Sequence, residues 1–150
     1  MIDRLAREGD PEAFDFPRSL PGDGLDFSFS GLKTALLYKV RDLGEREAGE
    51  RRADLAASYQ RAIVESLLAR VRAALQRETV ERFAIGGGVA ANSELRERIT
   101  ETCAEMGVDL WVPDRSLCTD NAAMIAAASR FTPALEYPEY LSLDASARVA

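Results

Sequence analysis

Histidine is absent from this sequence of 150 residues, and cysteine occurs only twice. Without histidine, the chain alone cannot build a Ser-His-Asp triad, an H-E-x-x-H protease site or a histidine-ligated metal site. Cys103 and Cys118 form neither a C-x-x-C pair nor a disulfide framework. Such sparse cysteine is typical of a protein from a reducing compartment.

Two further absences narrow the class of protein. No apolar run approaches the roughly 20 residues that a membrane-spanning helix needs, and the first residues show no signal-peptide pattern. A basic surplus is also lacking, because the net charge is −6, which argues against a stand-alone nucleic-acid clamp. We therefore expect a soluble, cytoplasmic protein with no membrane partner.

The hydrophobic residues, 47% of the sequence, are enough for one compact domain with a packed core. Their pattern predicts strands over 25–29, 83–85 and 108–112, and helices over 32–40, 53–77, 95–106 and 122–130. One apolar stripe of the second helix comprises Ala56, Tyr59, Ile63, Leu67, Val71 and Ala74. Strands that alternate with helices indicate an α/β layer with at least partly parallel strands.

Several residues are suited to begin or end these helices. Ser30 can cap the first helix, Asn92 the third, and either Thr119 or Asp120 the last. Gly107 is well placed to end the third helix. The last helix carries small residues nearly all round, which predicts that it is buried on several sides.

Three successive glycines lie between a predicted strand and a predicted helix. Gly86, Gly87 and Gly88 would let a ligand approach the backbone, and the free N–H groups of a helix start attract phosphate or carbonyl oxygens. Asn92 is suited to cap the helix, but its amide can also bind a ligand hydroxyl. A plain capped turn without any ligand is the structural alternative.

The same turn fits a dinucleotide-binding fingerprint loosely, through Gly86, Gly88 and Ala91. The acidic residue expected about 20 residues later has no good counterpart, because Asp114 comes late and Asp109 stands at the start of its strand. A dinucleotide-binding oxidoreductase module is therefore an alternative function.

Asp120 stands in a second notable cluster, which runs from Cys118 to Asn121. An aspartate at the start of a helix is most often a cap. The functional alternative is a metal ligand or a carboxylate beside a phosphate, because Asp binds hard cations through oxygen. Cys118 is predicted to be a small buried residue.

Three stretches together resemble the TsaD (Gcp) family, in order and in spacing. They are Asp-Phe-Ser-Phe-Ser-Gly-Leu-Lys-Thr at 26–34, Gly-Gly-Val-Ala-Ala-Asn at 87–92 and Cys-Thr-Asp-Asn-Ala-Ala-Met-Ile-Ala at 118–126. Residues 143–148 resemble the C-terminus of that family, and the whole match corresponds only to the C-terminal part of its protein. An older family label, O-sialoglycoprotein endopeptidase, finds no support in these residues.

The resemblance implies an actin-like, sugar-kinase-like fold of the ASKHA superfamily, which has two lobes around a nucleotide cleft. This α/β chain would form one lobe, a mixed sheet with packed helices. The expected organisation is an irregular leading segment over 1–24, the lobe over 25–133 and a tail over 134–150.

The resemblance also implies a reaction, in which a threonylcarbamoyl group moves from threonylcarbamoyl-adenylate to the anticodon-adjacent adenosine of tRNA, with partner subunits. By position, Gly87, Gly88 and Asn92 would bind the nucleotide part of the adenylate. Asp120 would be one ligand of a single metal ion, iron or zinc. The family's other two ligands are histidines of an H-x-x-x-H motif, which this sequence lacks. No catalytic residue is assigned to this chain.

We therefore expect the isolated chain to be inactive, with the N-terminal lobe or another chain completing its cleft. The alternative is a non-catalytic nucleotide-binding or scaffold lobe that forms a homo-oligomer or pairs with a partner subunit. A severed lobe would expose apolar surface, which favours such association.

Overall fold

The computed structural model describes residues 2–18 and 24–143. Its helices are α1 (Ile2–Ala6), α2 (Ser30–Glu50), α3 (Arg52–Arg77), α4 (Ser93–Glu105) and α5 (Ala122–Ala128). Its strands are β1 (Arg82–Ala84) and β2 (Asp109–Trp111), and short 3-10 helices span Gly88–Ala91, Arg115–Leu117, Ser129–Phe131 and Glu139–Ser142. Parts of the predicted leading segment and tail, including all but the first residue of 143–148, lie outside the described residues.

Helix α3 contributes residues to both apolar clusters of the fold, one on each half of the helix. One cluster consists of Phe16, Leu32, Leu55, Tyr59 and Ala62. The other consists of Val64, Leu68, Leu95, Ile99 and Cys103, and joins α3 to α4. Leu67, on the predicted stripe, is only half-buried, whereas the neighbouring Leu68 is 5% exposed. The buried face is therefore wider than predicted, because elements cover α3 on more than one side.

Strands β1 and β2 pair in parallel, with Phe83 opposite Leu110. Helix α4 lies between them in the chain and contacts β2, so the three elements form a β-α-β unit. This confirms the predicted parallel pairing. The expected mixed sheet is not observed, since these two strands are the full sheet within the described ranges.

The predicted strand over 25–29 is wrong. These residues are irregular, although Phe27 and Phe29 lie on one side with their rings stacked at 6.3 Å between centroids. A strand requires a partner to complete its backbone hydrogen bonds, and none of the described residues pairs with this segment. Alternation of apolar residues alone was therefore not enough to form a strand here.

Helix α2 is longer than predicted and does not begin with the expected cap. Ser30 is its first helical residue, and Phe29 occupies the capping position without a side-chain hydrogen bond. Gly44 has φ 74° and ψ 164°, so two helical segments meet there at a kink. The sequence predicted a helix that ends at residue 40, whereas residues 45–50 are also helical, with good helix formers at Glu45, Arg46, Glu47 and Ala48.

Helix α5 differs from its prediction in its cap and its surroundings. Asn121, rather than Thr119 or Asp120, caps it, because the Asn121 Oδ1 atom accepts a hydrogen bond from the Met124 N–H at 3.0 Å. Every residue of α5 is exposed, so the predicted burial on several sides is wrong. The described remainder of the chain leaves its outer faces uncovered. None of the described helices is long and apolar enough to cross a bilayer.

Candidate functional site

The glycine turn connects β1 to α4, as predicted. Gly87 has φ 79° and ψ 174°, a conformation that only glycine adopts readily. A Cβ atom added at Gly86, Gly87 or Gly88 would meet no described atom within 4 Å, so the backbone faces open space. The turn is therefore accessible to a ligand, and the 3-10 helix that follows it begins at Gly88.

Asn92 caps α4, which confirms the structural role predicted for it. Its Oδ1 atom accepts a hydrogen bond from the Leu95 N–H at 2.9 Å. Its Nδ2 atom donates to Gln60 Oε1 at 2.6 Å and to Asp3 Oδ1 at 3.4 Å. The amide is thus tied into the fold between α1 and α3, and a ligand would have to replace the Gln60 contact.

Asp3, which accepts a hydrogen bond from Asn92, has a carboxyl group whose pKa is shifted. Partial burial by itself would raise the pKa of the Asp3 carboxyl. Hydrogen bonds from the Ser93 hydroxyl and backbone N–H, together with the charges of Arg7 and Arg115, outweigh burial and lower that pKa. The carboxylate therefore stays charged beside the start of α4, where the helix dipole favours negative charge.

A cleft of about 350 Å³ separates the glycine turn from α5. Gly86 and Gly87 line it, together with Trp111, Pro113, Leu117, Asn121, Ala123, Met124 and Ala127. Its walls are mainly apolar, with exposed glycine backbone at one edge. Such a combination suits a flat ring with a polar or charged extension.

Trp111 is a cleft residue that the sequence interpretation did not assign to the site. It is the last residue of β2, and 62% of it is exposed. In α/β sheets, ligands bind beyond the carboxyl ends of parallel strands. An aromatic residue at the end of a predicted strand was therefore the signal that could have identified it.

Asp120 lies beside this cleft, next to the lining residue Asn121, and is itself exposed. The structure thus brings the loop of residues 112–121, called here the Asp120 loop, and the Gly86–Gly87 turn to one cleft, whereas the Asn92 side chain is directed into the fold. No group of three potential His, Cys, Asp or Glu ligands occurs anywhere in the described residues. The residues present therefore do not form a metal site by themselves.

Arg96 does not line the cleft, but its guanidinium connects the glycine-turn side of the cleft to the segment that follows β2. Its Nε atom donates to the Ala90 carbonyl at 2.6 Å, and its Nη2 atom donates to the Pro113 carbonyl at 2.5 Å. Nη2 also lies 3.2 Å from the Sγ atom of Cys118. Cys118 is 2% exposed, which confirms that it is a small buried residue.

Residues 1–127 match the family model TsaD, described as tRNA N6-adenosine threonylcarbamoyltransferase. A protein of that name from Geobacter metallireducens is 46% identical over 145 residues, which cover 96% of this chain and 42% of the relative. A protein of the same name from Anaeromyxobacter dehalogenans is 54% identical over 129 residues, which cover 85% of this chain and 38% of the relative.

A third relative of the same name, from Syntrophus aciditrophicus, is 45% identical over 148 residues, which cover 99% of this chain and 44% of the relative. The chain thus spans less than half the length of these curated relatives. The three motifs that suggested the family lie within the matched residues. The family model covers most of the sequence, and the chain therefore belongs to the TsaD family of tRNA N6-adenosine threonylcarbamoyltransferases.

Proposed function

We propose that this chain forms the adenylate-binding lobe of a tRNA N6-adenosine threonylcarbamoyltransferase with an ASKHA-type fold. The observation that carries the proposal is the cleft between the glycine turn and α5, which two of the three family motifs border. The relatives' name supplies the reaction class, and tRNA would be the acceptor. A tRNA substrate also supports the expected cytoplasmic location.

The cleft suits the nucleotide part of an adenylate in two ways. Trp111 and Met124 offer an apolar wall for the base, since an indole ring stacks well on flat rings. Gly87 and Gly88 leave the backbone open to the phosphate, with the N–H groups of the following 3-10 helix nearby. Asn92 would join this site if its amide turned from Gln60 and Asp3 toward the ligand.

In the proposed reaction, the exocyclic amine of adenosine attacks the carbamoyl carbonyl carbon, and AMP leaves. The contribution of this chain would be to hold the departing adenylate while the amine approaches. With a net charge of −6, the chain is poorly suited to grip tRNA, so the other lobe and partner subunits would supply that surface.

A nucleotide titration tests the first part of this proposal. Trp111 is the only tryptophan of the chain, so its emission reports on the cleft directly. We expect AMP to change that emission with a dissociation constant of about 1 mM or tighter. NAD should bind no better than AMP, and a clear preference for NAD would instead favour the dinucleotide-binding alternative.

Two neighbouring substitutions in α5 provide a matched control. Met124→Ala removes an apolar wall residue of the cleft and should weaken AMP binding several-fold. Ile125→Ala changes a residue that is 74% exposed and lies outside the cleft lining, so the affinity should not change. Equal effects of the two substitutions, or no AMP binding at all, would contradict the proposed site.

Asp120 is proposed as one ligand of a metal ion whose remaining ligands come from outside this sequence. The test joins the chain to an H-x-x-x-H region of a family relative and measures bound iron and zinc. Asp120→Asn should lower the metal content, whereas Asp114→Asn, an exposed carboxylate of the same loop, should not. Equal metal content in all three proteins would remove Asp120 from the site.

The exposed apolar surface near the C-terminus favours a second candidate function, a lobe that pairs with another copy. Ile125, Phe131, Tyr137 and Leu141 are 66–89% exposed, a surface that favours association. Sedimentation over a range of concentrations tests self-pairing, which Phe131→Ser should weaken. A single monomeric mass at every concentration would contradict it.

A further inference from the structure

Arg96 is the residue through which the two walls of the cleft are joined. The parallel pairing of the strands ends where the Ile85 N–H donates to the Trp111 carbonyl at 3.2 Å. Beyond that point, the described hydrogen bonds between residues 86–92 and residues 112–121 run through the Arg96 guanidinium. Among the described hydrogen bonds, one side chain therefore links the two walls beyond the end of the strands.

The three acceptors of Arg96 belong to three different segments. Ala90 lies in the 3-10 helix after the glycine turn, Pro113 follows β2, and Cys118 follows the 3-10 helix Arg115–Leu117. The guanidinium is planar and presents its N–H groups in a fixed fork, so it sets the relative positions of these acceptors. Arg96 is absent from the cleft lining, which means that it acts through the residues it holds.

The loop that Arg96 holds has two buried residues, Pro113 and Cys118, and both of them accept hydrogen bonds from Arg96. Its backbone hydrogen bonds are local, from the Leu117 N–H to the Asp114 carbonyl and from the Cys118 N–H to the Arg115 carbonyl. Helix α5, which follows the loop, is exposed throughout its seven residues. Segments with few buried contacts open at low cost, so removal of the Arg96 contacts should release this loop first.

We infer that Arg96 is a positioning residue for nucleotide binding, which fixes the width of the cleft between the glycine turn and α5. The inference rests on the proposed function, because it assigns the cleft to an adenylate. Arg96 itself does not touch the ligand. Its effect on binding comes from the placement of Gly87 on one side and of the loop that leads to Met124 on the other.

The test compares Arg96→Lys with Arg98→Lys. Lysine keeps the positive charge, but its single nitrogen cannot bridge three acceptors in a fixed plane. Arg98 lies two residues further along α4 and contacts Glu94 and Glu65 instead of the cleft. The first readout is labelling of Cys118 by a thiol reagent in the native protein, with Cys103, which is 1% exposed, as the internal reference.

We expect Cys118 in Arg96→Lys to be labelled roughly tenfold faster, while Cys103 and both thiols of Arg98→Lys keep their rates. The second readout is the dissociation constant of AMP from Trp111 emission, which should rise about tenfold in Arg96→Lys only. Cys118→Ala removes one of the three contacts and should weaken AMP binding less. This variant also tests the inference if Arg96→Lys does not fold.

The outcomes separate this inference from the proposed function. Unchanged labelling of Cys118 in Arg96→Lys would overturn the role of Arg96 in holding the loop, whatever the nucleotide data show. Faster labelling with an unchanged AMP constant would overturn its role in binding. Failure of the unsubstituted chain to bind AMP would overturn the proposed function, and labelling alone would then decide whether Arg96 holds the loop.

Discussion

The carboxylate of Asp3 accepts a hydrogen bond from the Ser93 hydroxyl at 2.6 Å, although the two residues are 90 positions apart in the sequence. The Ser93 N–H also donates to Asp3 Oδ1 at 3.2 Å. Ser93 is the first residue of α4, so α1 supplies an acceptor for a backbone group that the helix leaves free. The start of α4, and with it Asn92, is therefore held by a residue from near the beginning of the described chain.

Substitution of Asp3 should lower stability in a pH-dependent way. Asp3→Asn should lower the free energy of unfolding by about 1 kcal/mol at pH 7, because the charge-assisted bonds to Ser93 are lost. The folded pKa of Asp3 lies below its ordinary value of 3.8, so its contribution is present above that pH and is lost as the pH falls further. Urea unfolding at pH 7 and pH 3 measures the difference.

The control for Asp3 is Glu8→Gln, which removes the same charge from an exposed residue of the same segment. It should change stability by less than about 0.5 kcal/mol at either pH. A deficit of Asp3→Asn that is equally large at pH 3 and pH 7 would contradict the ionic origin of the effect.

Gly9 and Gly49 should respond to the same substitution with opposite signs. A Cβ atom at Gly9 would lie 2.1 Å from the backbone carbonyl oxygen of Ala53, so Gly9→Ala should cost about 1–3 kcal/mol. Gly49 lies in α2 with nothing within 4 Å of an added Cβ, so Gly49→Ala should stabilise by up to about 1 kcal/mol. Thermal unfolding of the two variants tests this, and equal shifts would refute it.

Glu65 should be stabilising as a carboxylate and not as an amide. Burial by itself would raise the pKa of Glu65, but hydrogen bonds from Arg61 and Arg18, both at 2.9 Å, lower it below the ordinary 4.5. Glu65→Gln should therefore cost about 1–2 kcal/mol at neutral pH, and the difference from the unsubstituted protein should shrink as the pH falls below that value.

Glu97→Gln, at an exposed position of α4, is the comparison for Glu65, and denaturant unfolding between pH 3 and pH 7 is the measurement. The free energy of unfolding of Glu97→Gln should equal that of the unsubstituted protein throughout this pH range. If Glu97→Gln loses as much stability as Glu65→Gln, the loss reflects net charge instead of the contacts with Arg61 and Arg18.

Substitution by alanine should affect stability at Gly87 and AMP binding at Gly88. Gly87→Ala should lose about 1–3 kcal/mol of stability, because alanine is strained at φ 79° and ψ 174°. Gly88→Ala should leave stability within about 0.5 kcal/mol and still weaken AMP binding, because the new Cβ occupies space that the ligand needs. Unchanged AMP affinity of a folded Gly88→Ala protein would remove Gly88 from the proposed site.

The sequence predicted best the elements whose signals are local. The helix around Tyr59, the cap at Asn92 and the glycine that ends α4 all follow from residues within a turn or two of each other. Gly107 has φ 68°, as expected of a residue that follows a helix. The family motifs are local in the same sense, which is why the family could be identified from three short stretches.

Two of the predictions that failed needed a partner elsewhere in the chain. The alternation at Phe27 and Phe29 predicted a strand, but no described segment completes its hydrogen bonds. The small residues of α5 predicted burial, but no described element covers them. Trp111 was not assigned to the site because its position beside Gly87 depends on the pairing of β1 with β2.

The sequence by itself determined the main helices α3 and α4, the places of the glycine turn and the Asp120 cluster, and the family to which the chain belongs. These properties depend on neighbours within a few positions. Only the tertiary structure decided that the turn and the loop share one cleft, that the Asn92 amide is held by Gln60, and that Arg96 bridges the two walls. Such contacts join distant residues, and their geometry is set by the packing of whole elements around α3.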